Sequence, residues 1–437
     1  MSFLTGVGRA LAHRNYRLFI AGQSISLIGT WMQQIGLSWL VYDLTKSAFW
    51  LGVVSFSTQL PTLFVAPLAG VLSDRWNRHR TLLVTQSVAM LQAVALVVLA
   101  WNSQIQVWQI ILLGIVLGIV NAFDMPTRQA FVTDMVPNRE DLPNAIAVNS
   151  SIVNAARLVG PFVAGLLIAA GGALSCFVVN AVSYVPVLGA LLAMRNLPVR
   201  PTTHTNSILE GLVEGFRYGL GFRPIRVLLL MMSLVSLAGI SLSVLLPLFA
   251  HEILQGGPQL FGMLTGASGC GALTSALYLA SRKSVLGLGN KMGWATATFG
   301  VAIIGFGFSR SIPLSLILLY VSGFSMMLQM AACNTLLQTI TTENMRGRVM
   351  SLYMMAFMGT APLGSLLAGI VADRYGAPIA LLAGGLSCIA GAIVFARQLP
   401  RMRAEVRPIY EQAGIVSPMA SAIHTVSQLE TPPEEPA

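Results

Sequence analysis

The residues able to do chemistry in this chain are few and stand well apart. Arg157, with Asn154 one helical turn before it, lies deep inside an apolar run. A guanidinium there must face other helices or water, not hydrocarbon. With Asn154 it could hold an anionic group such as a carboxylate. A second constellation is Gly70-Val71-Leu72-Ser73-Asp74-Arg75-Trp76-Asn77-Arg78-His79-Arg80. An acid followed by three arginines and a histidine cannot sit in hydrocarbon, so it forms a short turn at a membrane surface. Asp74 can accept bonds from exposed amides at a helix N-terminus or pair with an arginine. Such a contact would hold helix ends together in one state and break in another. Arg75, Arg78 and Arg80 can bind anionic lipid, or serve only to fix the side on which the turn lies.

Asp124 and Arg128 are four residues apart and face one another if a helix runs through Pro126. They are the next members of a surface charge network. Gln33, Gln34, Gln59, Asn180, Gln329 and Asn334 also fall within apolar runs. Each is a candidate for lining a polar cavity and serves equally well as an interhelical hydrogen bond. Cys176, Cys270, Cys333 and Cys388 lie singly, with no metal-ligand spacing. Gly6-Val7-Gly8 and Gly287-Leu288-Gly289-Asn290-Lys291 lack the full phosphate-cradling pattern. No metal, cofactor or ATP hydrolysis is expected, and the chain is not read as an enzyme.

The elements that must carry these residues follow from composition. Hydrophobic residues make up 55% of the 437 and charged residues 10%, where a soluble domain has about 25% charged. Mean hydropathy is +0.73. Twelve apolar runs have spanning length. The first, 18–41, is polar for a span, and 48–72, 81–100 and 107–123 follow. A polar connection is expected over 124–142. Spans 143–169 and 174–194 are separated by Gly171-Gly172. Residues 195–224 read as a basic, proline-containing linker. Six more runs lie near 225–249, 259–280, 292–309, 313–336, 349–371 and 377–396. Residues 1–14 suggest an amphipathic surface helix, and 401–437 a disordered tail.

The formal charge is +10. Nucleic acid is not the reason. Of the 26 lysines and arginines, Lys46, Arg310 and Arg374 fall on one side of this threading and Arg157 within a span. The other 22 lie on the side of the N-terminus. That asymmetry predicts both termini in the cytoplasm.

The halves echo one another. Val159-Gly160-Pro161-Phe162-Val163-Ala164-Gly165 has a counterpart in Ala361-Pro362-Leu363-Gly364-Ser365-Leu366-Leu367-Ala368-Gly369. Leu174-Ser175-Cys176 and Leu386-Ser387-Cys388 follow in turn. Two six-helix bundles, 1–194 and 225–400, with a seam between them suit alternating access by rocking.

Across about residues 10–400 the chain resembles the major facilitator superfamily. Gly70, Asp74, Arg75, Arg78 and Arg80 match its loop signature between spans two and three. Asn77 stands where that signature usually has glycine, a residue type that tolerates the left-handed backbone. Asp124-Met125-Pro126-Thr127-Arg128-Gln129-Ala130-Phe131-Val132, Leu142-Pro143-Asn144-Ala145 and Arg346-Gly347-Arg348-Val349 resemble the drug and siderophore exporter branch that includes the enterobactin exporter. Gly160, Pro161 and Gly165 resemble part of the antiporter motif, and generic helix packing explains them equally well.

The resemblance implies an all-α fold of two pseudo-symmetric bundles. It also implies a proton-coupled exporter of small organic molecules, siderophore or drug-like, monomeric and in contact with inner-membrane lipid. A solute importer is the alternative, with a non-transporting membrane protein behind it. No acidic residue stands in mid-span, so coupling would use Asp43, Asp74 or Asp124, or the cargo's own charge.

Overall fold

The computed structural model describes residues 8–102, 104–138, 140–195, 208–282 and 284–412; the side chains of 66–68, 70–75, 208–213 and 215 lie outside the described set. All regular structure among the described residues is helical. In order these are α1 (Arg14–Thr45), α2 (Ala48–Arg75), α3 (Arg78–Trp101), α4 (Val107–Met135), α5 (Leu142–Leu192), α6 (Ile208–Gly221), α7 (Arg223–Leu248), α8 (Pro258–Ala280), α9 (Leu288–Phe308), α10 (Ile312–Ile340), α11 (Glu343–Tyr375) and α12 (Ala377–Gln412).

Length and hydropathy qualify nine of these to cross a membrane. One of the nine, α5, is two spans. Gly171 (φ −143°) and Gly172 (φ 71°) break it, and the positive φ of Gly172 suits a residue without Cβ. The spanning helices α1 and α9 fall short in hydropathy, not in length. Together these make twelve spans. Helix α6 is a short amphipathic helix outside them.

Local chemistry sets the breaks. Lys46 adopts φ 49° and its N–H closes α1 on the Tyr42 carbonyl at 2.7 Å. Gln106 and Gln109 form a reciprocal capping box at the start of α4. Asn77 has an extended backbone (φ −68°, ψ 109°) and its side chain accepts from the Arg80 N–H at 3.1 Å. The expected left-handed role of Asn77 is therefore replaced by an N-cap.

The expected polar connection over 124–142 is also corrected. Helix α4 continues through Pro126 to Met135. Proline removes one backbone bond, while Asp124, Thr127, Phe131, Val132, Asp134 and Met135 all bury along the extension. Part of the expected linker, 208–221, is α6, which Glu214 ties to Arg348 of α11 at 2.5 Å. Residues 401–412 of the expected tail continue α12, and 413–437 lie outside the described residues. Of the expected surface helix, 1–7 lie outside the described residues and Ala10–Ala12 is a 3-10 turn. That turn is pinned to α5, the Ala10 N–H donating to Asn144 Oδ1 at 3.1 Å, and the first turn of α1 is pinned there too, the Tyr16 hydroxyl donating to the Ala145 carbonyl at 2.7 Å.

The spans form two six-helix bundles. Call the side bearing the arginine-rich loops the basic face. Toward the opposite face one apolar core runs through both bundles, from Met32, Leu51 and Phe177 to Leu245, Phe261, Phe306 and Leu381. Toward the basic face there are two separate cores. One holds Tyr16, Phe19, Leu82, Phe131 and Leu191, the other Met232, Met292, Leu337, Tyr353 and Phe395.

Candidate functional site

The bundles meet through α2 against α11 and α5 against α8. Each crossing is made by a pair of glycines. A methyl group on Gly52 would lie 3.0 Å from Gly369 Cα and 2.6 Å from the Ser365 carbonyl oxygen. One on Gly165 would lie 3.1 Å from Gly262 Cα and 2.9 Å from the Pro258 carbonyl oxygen. Backbone thus rides on backbone at both crossings. Gly165 and Gly369 are the equivalent glycines of the internal repeat.

At the opposite face the closure is polar and aromatic. Helix α7 ends in a π-helical turn, Phe249–Ile253, a distortion that re-aims side chains. Glu252 on this turn accepts the Tyr42 hydroxyl at 2.6 Å. The His251 ring lies 5.5 Å from Tyr42 and 6.1 Å from Trp39, and Trp39 stacks on Phe261 at 6.1 Å. Ser47 donates to Asp373 at 2.9 Å. Among the described residues no hydrogen bond or ion pair joins the two bundles at the basic face.

Arg157 sits at the seam, half-buried, its guanidinium 6.0 Å from the centre of the Trp31 ring. Gly160, one turn on, makes this possible. A methyl group there would approach Trp31 Cβ to 2.5 Å, so α1 and α5 lie close. On the far side the Arg157 carbonyl is 3.5 Å from where a Gly269 methyl on α8 would be. No carboxylate pairs with Arg157 among the described residues. Asn154 is not brought to it: its amide donates to the Ser150 carbonyl at 2.9 Å. Within the second bundle, α10 and the start of α11 present a polar crevice of about 470 Å3. It is lined by Asn334, Thr335, Gln338, Thr339 and Arg346, with Gln338 donating to Asn334 at 2.5 Å.

The other cavity candidates divide. Gln34 is exposed. Gln59 folds back on Ser55, 2.9 Å from its hydroxyl. Gln33 donates to Gln92 at 3.0 Å and accepts from Asn180 at 2.7 Å, all three buried. That chain bonds α1, α3 and α5 inside the first bundle and leaves those amides no part in the seam. Gln329 is wholly buried, and both its amide atoms lack a described partner.

The charge network sits within the first bundle near the basic face. Asp124 is 2% exposed. Its Oδ1 accepts from Thr85 at 2.9 Å and from Gln86 at 2.7 Å, while Arg128 pairs with Oδ2. Continuation of the helix through Pro126 is what brings Asp124 and Arg128 together. Arg78 on α3 pairs with Asp134 on α4 at 3.1 Å and donates to the Ala130 carbonyl at 3.2 Å. Arg80 is exposed. Gly70, Asp74 and Arg75 belong to the last turns of α2, and their side chains lie outside the described set.

Trp31, Tyr42, His251 and Glu252 were missed from the sequence. Tyr42 and Glu252 both fall at span ends, where polar residues read as turn. The one available signal was Pro247 shortly before a His-Glu pair.

Two helical bundles joined through small residues, with a polar seam between them, define a secondary transporter of the major facilitator type. Residues 9–417 match the family described as transmembrane secretion effector, and the chain belongs to that family. It is 28% identical over 382 residues to the staphyloferrin A transporter of Staphylococcus aureus, covering 87% of this chain and 95% of that protein. It is 28% identical over 381 residues to the multidrug efflux pump Tap of Mycolicibacterium fortuitum, covering 84% and 91%. Among solved structures it overlays the nucleoside transporter NupG with TM-score 0.70 at 13% identity, covering 90% and 99%. That last likeness concerns the fold. The protein is a multi-pass membrane transporter that exports small organic molecules.

Proposed function

We propose that this exporter is driven by protons, works as a monomer in the bacterial inner membrane with both termini in the cytoplasm, and loads its cargo from the basic face. One observation carries the reading: the apolar core is continuous across both bundles at the opposite face and divided in two at the basic face. Rocking about the glycine crossings would exchange these conditions. The basic-residue asymmetry supports the orientation.

The bundles divide as 1–194 and 225–400, with 195–224 as the connecting segment. Arg157 is the anchor for cargo, and its lack of a carboxylate partner among the described residues supports an anionic group on that cargo. Asn334, Gln338 and Arg346, on α10 and α11, offer further polar contacts to cargo. The two relatives, one named for staphyloferrin A and one as a multidrug pump, support cargo of siderophore or drug-like size. Gly70, Asp74, Arg75, Arg78 and Arg80 form the cytoplasmic latch. Asp124 and Arg128 form the buried ion pair behind it, and Asp124 is the coupling carboxylate.

Everted membrane vesicles with an imposed pH gradient test the reading. Cargo should accumulate inside, and collapse of the gradient should release it. Accumulation indifferent to the gradient removes proton coupling. Accumulation in right-side-out vesicles instead would make the protein an importer.

A further inference from the structure

A second cavity lies wholly within the second bundle at its basic face, with a volume of about 420 Å3. Its depth is apolar, formed by Leu228, Leu336, Phe395, Leu399 and Val406 from α7, α10 and α12. Its mouth carries Arg403, Arg407 and Tyr410. No residue of the first bundle lines it. It shares no lining residue with the polar crevice beside Asn334.

The placement of the mouth follows from the length of α12. Its 36 residues span about 54 Å at 1.5 Å per residue, against roughly 30 Å of hydrocarbon. The helix therefore leaves the apolar layer and continues through the headgroup zone. Arg397, Arg401, Arg403 and Arg407 all lie on that stretch, while Met402 and Val406 bury on its inner side. Arg403 reaches across to Asn290 Oδ1 of α9 at 2.7 Å. The Nε of Arg407 pairs with Glu411 at 3.1 Å, and its terminal nitrogens have no described partner. Val285, Leu286 and Gly287 line the cavity from the loop before α9.

We infer that this cavity is a binding site for an anionic phospholipid. One acyl chain enters the apolar depth, and the phosphate is held by Arg403 and Arg407. Charge complementarity selects the occupant: an apolar pocket with two arginines at its mouth, at the level of the headgroups, fits an anionic amphiphile. A zwitterionic lipid places its own cation against the same arginines and is disfavoured. Free phosphate leaves the apolar depth empty.

Native mass spectrometry of the purified full chain tests this with phosphatidylglycerol, phosphatidylcholine and inorganic phosphate as probes. Phosphatidylglycerol should be retained in preference to phosphatidylcholine, and phosphate not at all. The double variant Arg403→Gln/Arg407→Gln should weaken retention about thirtyfold. Arg401→Gln, on the same stretch but off the lining, should change it little. Leu336→Trp should abolish retention by filling the cavity without altering charge. Equal retention of both lipids by the unaltered protein overturns the assignment without any variant. Undiminished binding to a folded double variant or to folded Leu336→Trp does so too. Displacement of the lipid by an exported compound would make the cavity a cargo site and equally overturn it.

Discussion

Tyr42 donates its hydroxyl to a carboxylate oxygen of Glu252 at 2.6 Å, and the two belong to different bundles. One stands at the end of α1 and the other on the π-helical turn that ends α7. These helices occupy equivalent positions in the two halves. The bond therefore closes the opposite face between pseudo-symmetric partners. A bond to a charged group contributes about 1.5–3 kcal/mol when well shielded; Glu252 is exposed, which puts this one below that range.

Tyr42→Phe and Glu252→Gln should each shift the population toward opening at the opposite face, by about fivefold for roughly 1 kcal/mol. Spin-label distances between the α1 and α7 ends read this directly. Unchanged distance distributions in both variants would remove the bond from the gate.

Arg157→Ala should leave the protein in the membrane and abolish export, because no other cation stands at the α1–α5–α8 junction among the described residues. Arg157→Lys should retain part of the activity, since a point charge remains without the planar fork. Transport assays on equal amounts of membrane-inserted protein decide it. Normal export by the alanine variant would falsify the anchor role.

Asp124→Asn leaves the partly buried Arg128 charge without its partner and should cost roughly 3 kcal/mol of stability. Replacing Arg128 with glutamine as well should recover much of that loss, a coupling visible in a double-mutant cycle of thermal melts. Equal and additive losses would mean that the pair is not energetically linked. If Asp124 couples protons, the rescued double variant should still exchange cargo while ignoring an imposed gradient.

Bulk at the glycine crossings should block closure of the opposite face. Gly165→Leu or Gly369→Leu is expected to abolish export and to leave that face open to a membrane-impermeant thiol reagent at an introduced cysteine. Gly266→Ala on α8 is the comparison, since no atom lies within 4 Å of its added methyl. Loss of function there comparable to Gly165→Leu would point to general helix damage.

The architecture was readable because hydrocarbon imposes a coarse rule. Apolar length, charged turns and the bias of arginines mark spans with little regard to packing. Breaks such as Gly171-Gly172 carried their own backbone chemistry. What escaped were properties of contact. Pro126 reads as a helix end, yet the packing of Phe131 and Val132 keeps α4 going. Asn180 and Gln33 read as cavity polarity and turn out to satisfy one another, because a buried amide has no label for which helix it will meet. Glu252 looked like loop, since only the π-helical turn aims it at Tyr42. Trp31 was invisible until Gly160 showed how close α1 comes.

At the two glycine crossings, what meets is main chain, identical in every residue type, whereas cargo on the proposed reading would meet a wall of side chains. Inheritance can therefore rewrite one without disturbing the other. On the proposed reading a substitution at Asn334 or Gln338 should retune selectivity at no mechanical penalty, while one at Gly52 or Gly262 should stop the machine. A lineage built this way is free to diversify its cargo over a conserved bearing.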